Sequence, residues 1–184
     1  LRTGLFQTGG DAGAKLVSDG VEVDVKDVAA PGNVVGQIQM TLTGLAAGTH
    51  TLLTYHNHWD SPAAITLGPI DISVNGSLVV DDLQPTIRAA TNNDAASAYV
   101  QFTVTGPSDT TTILFAADPT AGGVSVTRRT AVISGFEIDT SNALKIAHTP
   151  VPADGDGHVD ADSGTVTLSW SPALSGDTAS HDVY

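Results

Sequence analysis

His56, His58 and Asp60 alternate through the stretch Tyr55-His56-Asn57-His58-Trp59-Asp60. On an extended strand, alternate residues share a face. Two imidazoles and a carboxylate would then point the same way, a spacing that Zn2+ or Cu2+ can use. Tyr55 and Trp59 offer different chemistry. An aromatic face over the C–H side of a sugar ring buries apolar area while the hydroxyls find polar neighbours. Arg88, Asn92, Asn93 and Asp94, in a polar connection further on, are the expected neighbours. A second alternation, Asp154, Asp156, His158, Asp160 and Asp162, offers carboxylates that a loop could turn onto structural calcium. It departs from the EF-hand pattern, which needs Gly and Glu where Val159 and Thr165 stand. Each set also has a plainer reading. The histidines could end a polar strand, Trp59 could plug one end of a sandwich, and the acidic run could be a solvated edge that discourages strand pairing.

Asn75-Gly76-Ser77 matches the N-glycosylation sequon, with Asn75 as acceptor. Asn-Gly is also the favoured two-residue hairpin turn, which explains it without a glycan. The chain has no Gly-x-Ser-x-Gly elbow, no P-loop and no His-Glu-x-x-His. With no Cys, disulfides, thiolate metal sites and Cys nucleophiles are excluded. The expected role is therefore not enzymatic.

These residues need strands to position them, and strands dominate the pattern. Val21–Lys26 alternates, with its valines expected inward, and Gln37–Leu42 alternates with Ile38, Met40 and Leu42 inward. Thr49–Tyr55 reads as a buried strand from which His56–Trp59 departs as a loop. Ile70–Val74, Leu78–Val80, Tyr99–Thr105, Thr111–Ala116, Val124–Val126 and Ala131–Ile138 follow. Leu1–Leu16 reads as irregular, and Asp81–Ser97 as a long polar connection. Short strands at roughly ten-residue spacing without a long helix predict an all-β chain, a jelly-roll β-sandwich. The jelly roll is expected over residues 1–142, followed by a linker over 143–152 and a partial immunoglobulin-like β segment over 153–184.

Twenty Asp and Glu against seven Lys and Arg leave a net charge of −13. That field repels phosphate backbones and anionic lipid, so no nucleic-acid partner is expected. No apolar run reaches the roughly 18 residues of a membrane span, so no membrane insertion is expected either.

Two resemblances go further. Gly48-Thr49-His50-Thr51, Ile72-Ser73-Val74-Asn75-Gly76 and Ile133-Ser134-Gly135-Phe136-Glu137-Ile138 resemble the turns and strands of malectin-like and related carbohydrate-binding jelly rolls, over about residues 1–140. Pro152-Ala153-Asp154-Gly155, Leu168-Ser169-Trp170-Ser171-Pro172 and His181-Asp182-Val183-Tyr184 resemble the opening of fibronectin-III or immunoglobulin-like modules of secreted bacterial surface proteins. The resemblances imply an extracellular or cell-surface setting, bacterial in origin. An incomplete module must cover its apolar face and open edge, here Val166, Leu168, Trp170, Val183 and Tyr184. The first expectation is thus a structural surface protein whose subunits join head to tail by strand complementation, with itself or neighbouring modules as partner. The alternative is a carbohydrate-binding module of a larger secreted enzyme or adhesin, with glycans as partner.

Overall fold

In the computed structural model, residues 12–25, 35–59, 66–118, 129–140, 148–152, 162 and 164–172 are described. The chain divides into two compact units, Leu1–Thr140 and Ser141–Tyr184.

In the first unit a short helix, α1 (Ala12–Leu16), precedes β1 (Val21–Val23), β2 (Gln37–Thr43), β3 (Gly48–His58), β4 (Ile70–Val74), β5 (Ser77–Leu83), β6 (Thr86–Ile87), β7 (Ala96–Val104), β8 (Thr110–Ala117), β9 (Ala131–Ile133) and β10 (Gly135–Ile138). One sheet runs β2-β8-β4-β5, antiparallel throughout. In the other layer β3 pairs antiparallel with both β10 and β7, and β1 pairs with β9, which leads directly into β10. The chain crosses between layers at most connections, staying in one layer at β4–β5, β6–β7 and β9–β10. That alternation is the jelly-roll order.

Alternation in the sequence becomes the core between the layers. Val100, Phe102 and Val104 of β7 face Ile72 and Val74 of β4 and Ile113 and Phe115 of β8, with Ile38, Met40 and Leu42 of β2 packed at the flank. Each large side chain buried there contributes about 1.5–3 kcal/mol. Asn75 and Gly76 make the β4–β5 turn with φ of 49° and 83°, the left-handed pair that a type I′ hairpin requires. The Asn75 amide oxygen also accepts the Thr112 N–H at 2.9 Å, tying the turn to β8.

The central strand is β3, because both its faces are covered. Leu52 lies in the core between the layers, whereas Leu53 and Tyr55 pack on the other face with Val17, Ala89 and Ala95. Residues that follow α1, and the segment after β6, therefore form a third layer over β3.

Several expectations need correction. Ala12–Leu16 is helical rather than irregular, and Ser18 Oγ caps its end on Ala14 O at 2.7 Å. β1 is shorter than expected and its valines face solvent: Val21 and Val23 are 45% and 40% exposed, and Glu22 is the half-buried residue. An imidazole draws Glu22 inward, for its Oε2 lies 2.6 Å from His58 Nε2. The long polar connection carries more order than expected, with β5 reaching Leu83 and β6 pairing parallel to the end of β3. Ala131–Ile138 breaks at Ser134 into β9 and β10. The strand expected at Val124–Val126 lies outside the described residues.

The second unit has β11 (His148–Val151) paired antiparallel with β12 (Ser169–Ser171). Residues 148–151, expected within a linker, are thus a paired strand. Pro150 is tolerated because an edge strand need not donate at every position. One ladder among the described residues does not define an immunoglobulin-like topology.

Candidate functional site

β3 runs through His56, Asn57 and His58, so the expected loop is strand and all three side chains are 0% exposed. His56 Nδ1–H donates to Val132 O at 2.7 Å, which leaves Nε2 to accept the Thr54 hydroxyl at 2.8 Å. Burial against Phe115 lowers its pKa to about 4, opposed by the bond to Val132, so the ring is neutral. The Thr54–His56 pair has the contact of a nucleophile and base, yet it is closed to solvent and backed by a carbonyl rather than a carboxylate. His58 stacks on Trp59 with centroids 5.2 Å apart and meets Glu22. Both expected metal-ligand histidines therefore serve the interior. Asp60 lies outside the described residues, as do Asp154, Asp156 and Asp160.

Asn57 joins the layers. Its Nδ2 donates to Val17 O at 2.7 Å, and its Oδ1 accepts Ala89 N–H at 2.9 Å and the Thr86 hydroxyl at 3.0 Å. Its backbone N–H donates to Ser134 Oγ, which in turn donates to Asn57 O. The sequence placed an amide here but gave no sign of these partners, all distant along the chain.

The expected glycan-contacting residues gather along one seam, where residues 86–95 pack over β3. Tyr55 OH donates to Glu137 Oε1 at 2.7 Å and shares a hydrogen bond with the Asn92 side chain. Burial first, then Glu137, raises the phenol pKa. Arg88, in the left-handed region at φ 55°, donates from Nε to Trp59 O at 3.1 Å. Arg88 and Asn93 are exposed and Asn92 half-buried. The rings themselves are not open platforms, for Tyr55 is 5% and Trp59 8% exposed. The Trp59 indole N–H is buried and has no partner among the described residues.

Two features were missed by sequence reasoning. Asp71, Asp81 and Asp82 bring one carboxylate oxygen each within 4.8 Å of the others. The strands β4 and β5 slip register here, which closes the gap between acids that are distant in sequence. Burial first, then neighbouring carboxylates, raises the pKa of Asp71 and of Asp82. Such hard oxygens suit calcium more than zinc. Carboxylates alone, without a further donor aimed at the same point, do not define a calcium site.

The other feature is an apolar cleft of about 320 Å3 at the open side of the sandwich, between the edge strand β2 and the β1/β9–β10 edge. Val21, Ile38, Met40, Ile133 and Phe136 line it, with Gln39 and Ser134. Phe136 is 48% exposed. Gly135 is held against Leu16, leaving its neighbour Phe136 turned to the cleft. A hydrophobic residue in an alternating strand reads as core; only the missing neighbour at a sheet edge exposes it.

No family model matches the chain, and a search of curated proteins finds no match. Among solved structures, similarity is found to a family 35 carbohydrate binding module from an environmental isolate, at 20% identity and a TM-score of 0.35, covering 59% of this chain and 68% of that one. The EclA C-terminal domain, a sugar-binding protein, is 20% identical with a TM-score of 0.38, covering 65% and 78%. CBM35 from Paenibacillus barcinonensis is 15% identical with a TM-score of 0.36, covering 72% and 100%. No residue of this chain takes a role from them. No helix among the described residues is long and apolar enough to cross a membrane.

Proposed function

We propose that the protein is a non-catalytic, extracellular glycan-binding module whose ligand enters the cleft at Phe136. The half-exposed phenyl ring in a concave apolar cleft carries this reading. Its face can take the C–H side of a sugar ring, beside Met40 and Val21, while Gln39 stands at the lining for a hydroxyl. Arg88, Asn92 and Asn93 are the second candidate contact, for a glycan lying along the seam over β3. A glycan array on the native chain, Phe136→Ala and Arg88→Ala with Asn93→Ala separates them. Loss of the Phe136 ring should weaken binding roughly tenfold, the scale of one aromatic contact. Unchanged binding in Phe136→Ala with loss in the Arg88/Asn93 pair would move the site to the seam, and no glycan bound by any variant would end the reading.

A second reading, head-to-tail self-association, draws on the second unit. Val151, Val166, Leu168 and Trp170 are 60%, 40%, 61% and 41% exposed there, and an isolated two-stranded ladder is marginal in water. Val183 and Tyr184, expected in the same assembly, lie outside the described residues. Light scattering tests it: oligomers that Trp170→Ser dissolves support it, and a monomer near 18.7 kDa removes it.

A further inference from the structure

At the other end of β3 lies a histidine that the glycan-binding reading does not use. His50 is 9% exposed and stacks on Phe102 of β7 with centroids 5.9 Å apart. Its Nδ1 lies 2.9 and 3.0 Å from the two carboxylate oxygens of Asp139, and its Nε2 lies 2.9 Å from Ala46 O. Every partner is an acceptor. A neutral imidazole carries one N–H, so it would set a lone pair against one of them. The observed geometry satisfies both nitrogens only in the imidazolium form.

The two acceptors belong to segments far apart in sequence. Ala46 is in the turn between β2 and β3, and Asp139 follows β10 at the point where the chain leaves the first unit. Asp139 also accepts the Thr51 N–H at 3.1 Å and donates its own N–H to Thr51 O at 2.9 Å, with φ of 56°. The next residue is fixed the same way, since Thr140 O accepts the hydroxyls of Thr51 and Tyr99. His50 is the titratable member of this set. Among the described residues, the charged group facing it is Asp139, with Phe102 from β7 and the Ala46 carbonyl from the turn. Asp109, on the neighbouring β7–β8 turn, is occupied by the backbone and hydroxyl of Thr105.

We propose that His50 is a pH-dependent clasp: protonated, it ties the β2–β3 turn to Asp139 and fixes the chain where it exits the jelly roll; deprotonated, it releases one of the two. The bonds to Ala46 O and Asp139 raise the His50 pKa above its ordinary value, and the same contact lowers that of Asp139. A raised histidine pKa gives stability that is fully present below about 6.5 and is lost as pH rises through the folded value.

The test is NMR on the full chain between pH 5 and 9. The ring carbon shifts of His50 should titrate above the ordinary histidine value. Amide exchange at Asp139, Thr140 and Thr51, corrected for intrinsic rates, should lose about tenfold in protection across that titration. In His50→Gln, which keeps one donor, the protection should no longer follow pH. A His50 that titrates at or below the ordinary value, or wild-type protection that is flat through its titration, overturns the proposal, and neither result depends on the variant folding.

Discussion

Two histidines on β3 face opposite conditions. His50, at the start of the strand, has a carboxylate and a carbonyl on its two nitrogens, and both favour the charged ring. His56, further along, has a carbonyl on one side, a hydroxyl on the other and Phe115 against its face, and burial keeps it neutral. Strand and side chain are the same; the partners supplied by distant segments differ. A histidine in a jelly-roll strand is thus neither a ligand nor a switch by its type. Its second partner decides.

The first way to break this contrast is at Asn57, which holds the neutral half of β3 in place. Asn57→Ala would strand the Ala89 N–H and the Val17 carbonyl inside the fold. A loss of about 3–5 kcal/mol is expected in urea unfolding, from two or more buried groups left unpaired. A loss under about 1 kcal/mol would show that water replaces the amide easily.

pH provides the next test. His56 binds a proton more readily unfolded than folded, so stability falls as pH drops from 6.5 towards about 4. The depressed pKa corresponds to about 3 kcal/mol over that window. His50 acts in the opposite direction, at the upper end of its own titration. Chemical denaturation from pH 4 to 9 should therefore show a rise and then a decline, with the rise absent in His56→Gln if that variant folds.

Carboxylates sharpen the same comparison. Asp139 has an imidazole and its pKa is lowered; Asp71 and Asp82 have burial and then the neighbouring Asp81 and Asp118, and theirs are raised. Asp82 also sits at φ 57°, a conformation open to Asp and Asn alike, so the exchange leaves backbone strain unchanged and tests charge alone. Asp82→Asn should raise the melting temperature slightly at pH 7 and leave it unmoved at pH 3, where the neighbouring acids are protonated. Smallest is Tyr55→Phe, which removes the hydroxyl donated to Glu137 and should cost about 1 kcal/mol without altering the fold.

The sheet was readable wherever one face alone is buried. Gln37–Thr43, Ile70–Val74 and Ala96–Val104 alternate in sequence and in burial, and Asn75-Gly76 marked its hairpin through the backbone conformation it favours. The second half of β3 was not readable, since His56, Asn57 and His58 look like surface residues until Val132, Val17, Ala89 and Glu22 arrive from elsewhere. β1 misled for the same reason, its glutamate being the residue with a buried partner. Tyr55, Trp59, Arg88 and Asn92 do meet along one seam, but the depth of the two rings depends on the segment packed over them. Phe136 was hidden in the opposite sense, a core-like residue on a strand paired with β3 on one side and, among the described residues, open on the other.

Chemical-shift mapping of backbone amides during titration with the best glycan from an array tests the proposed function most directly. Binding in the cleft predicts saturable shifts at residues 38–40 and 133–136, with little movement at 88–93. Shifts confined to 88–93, or none up to millimolar glycan, would contradict it.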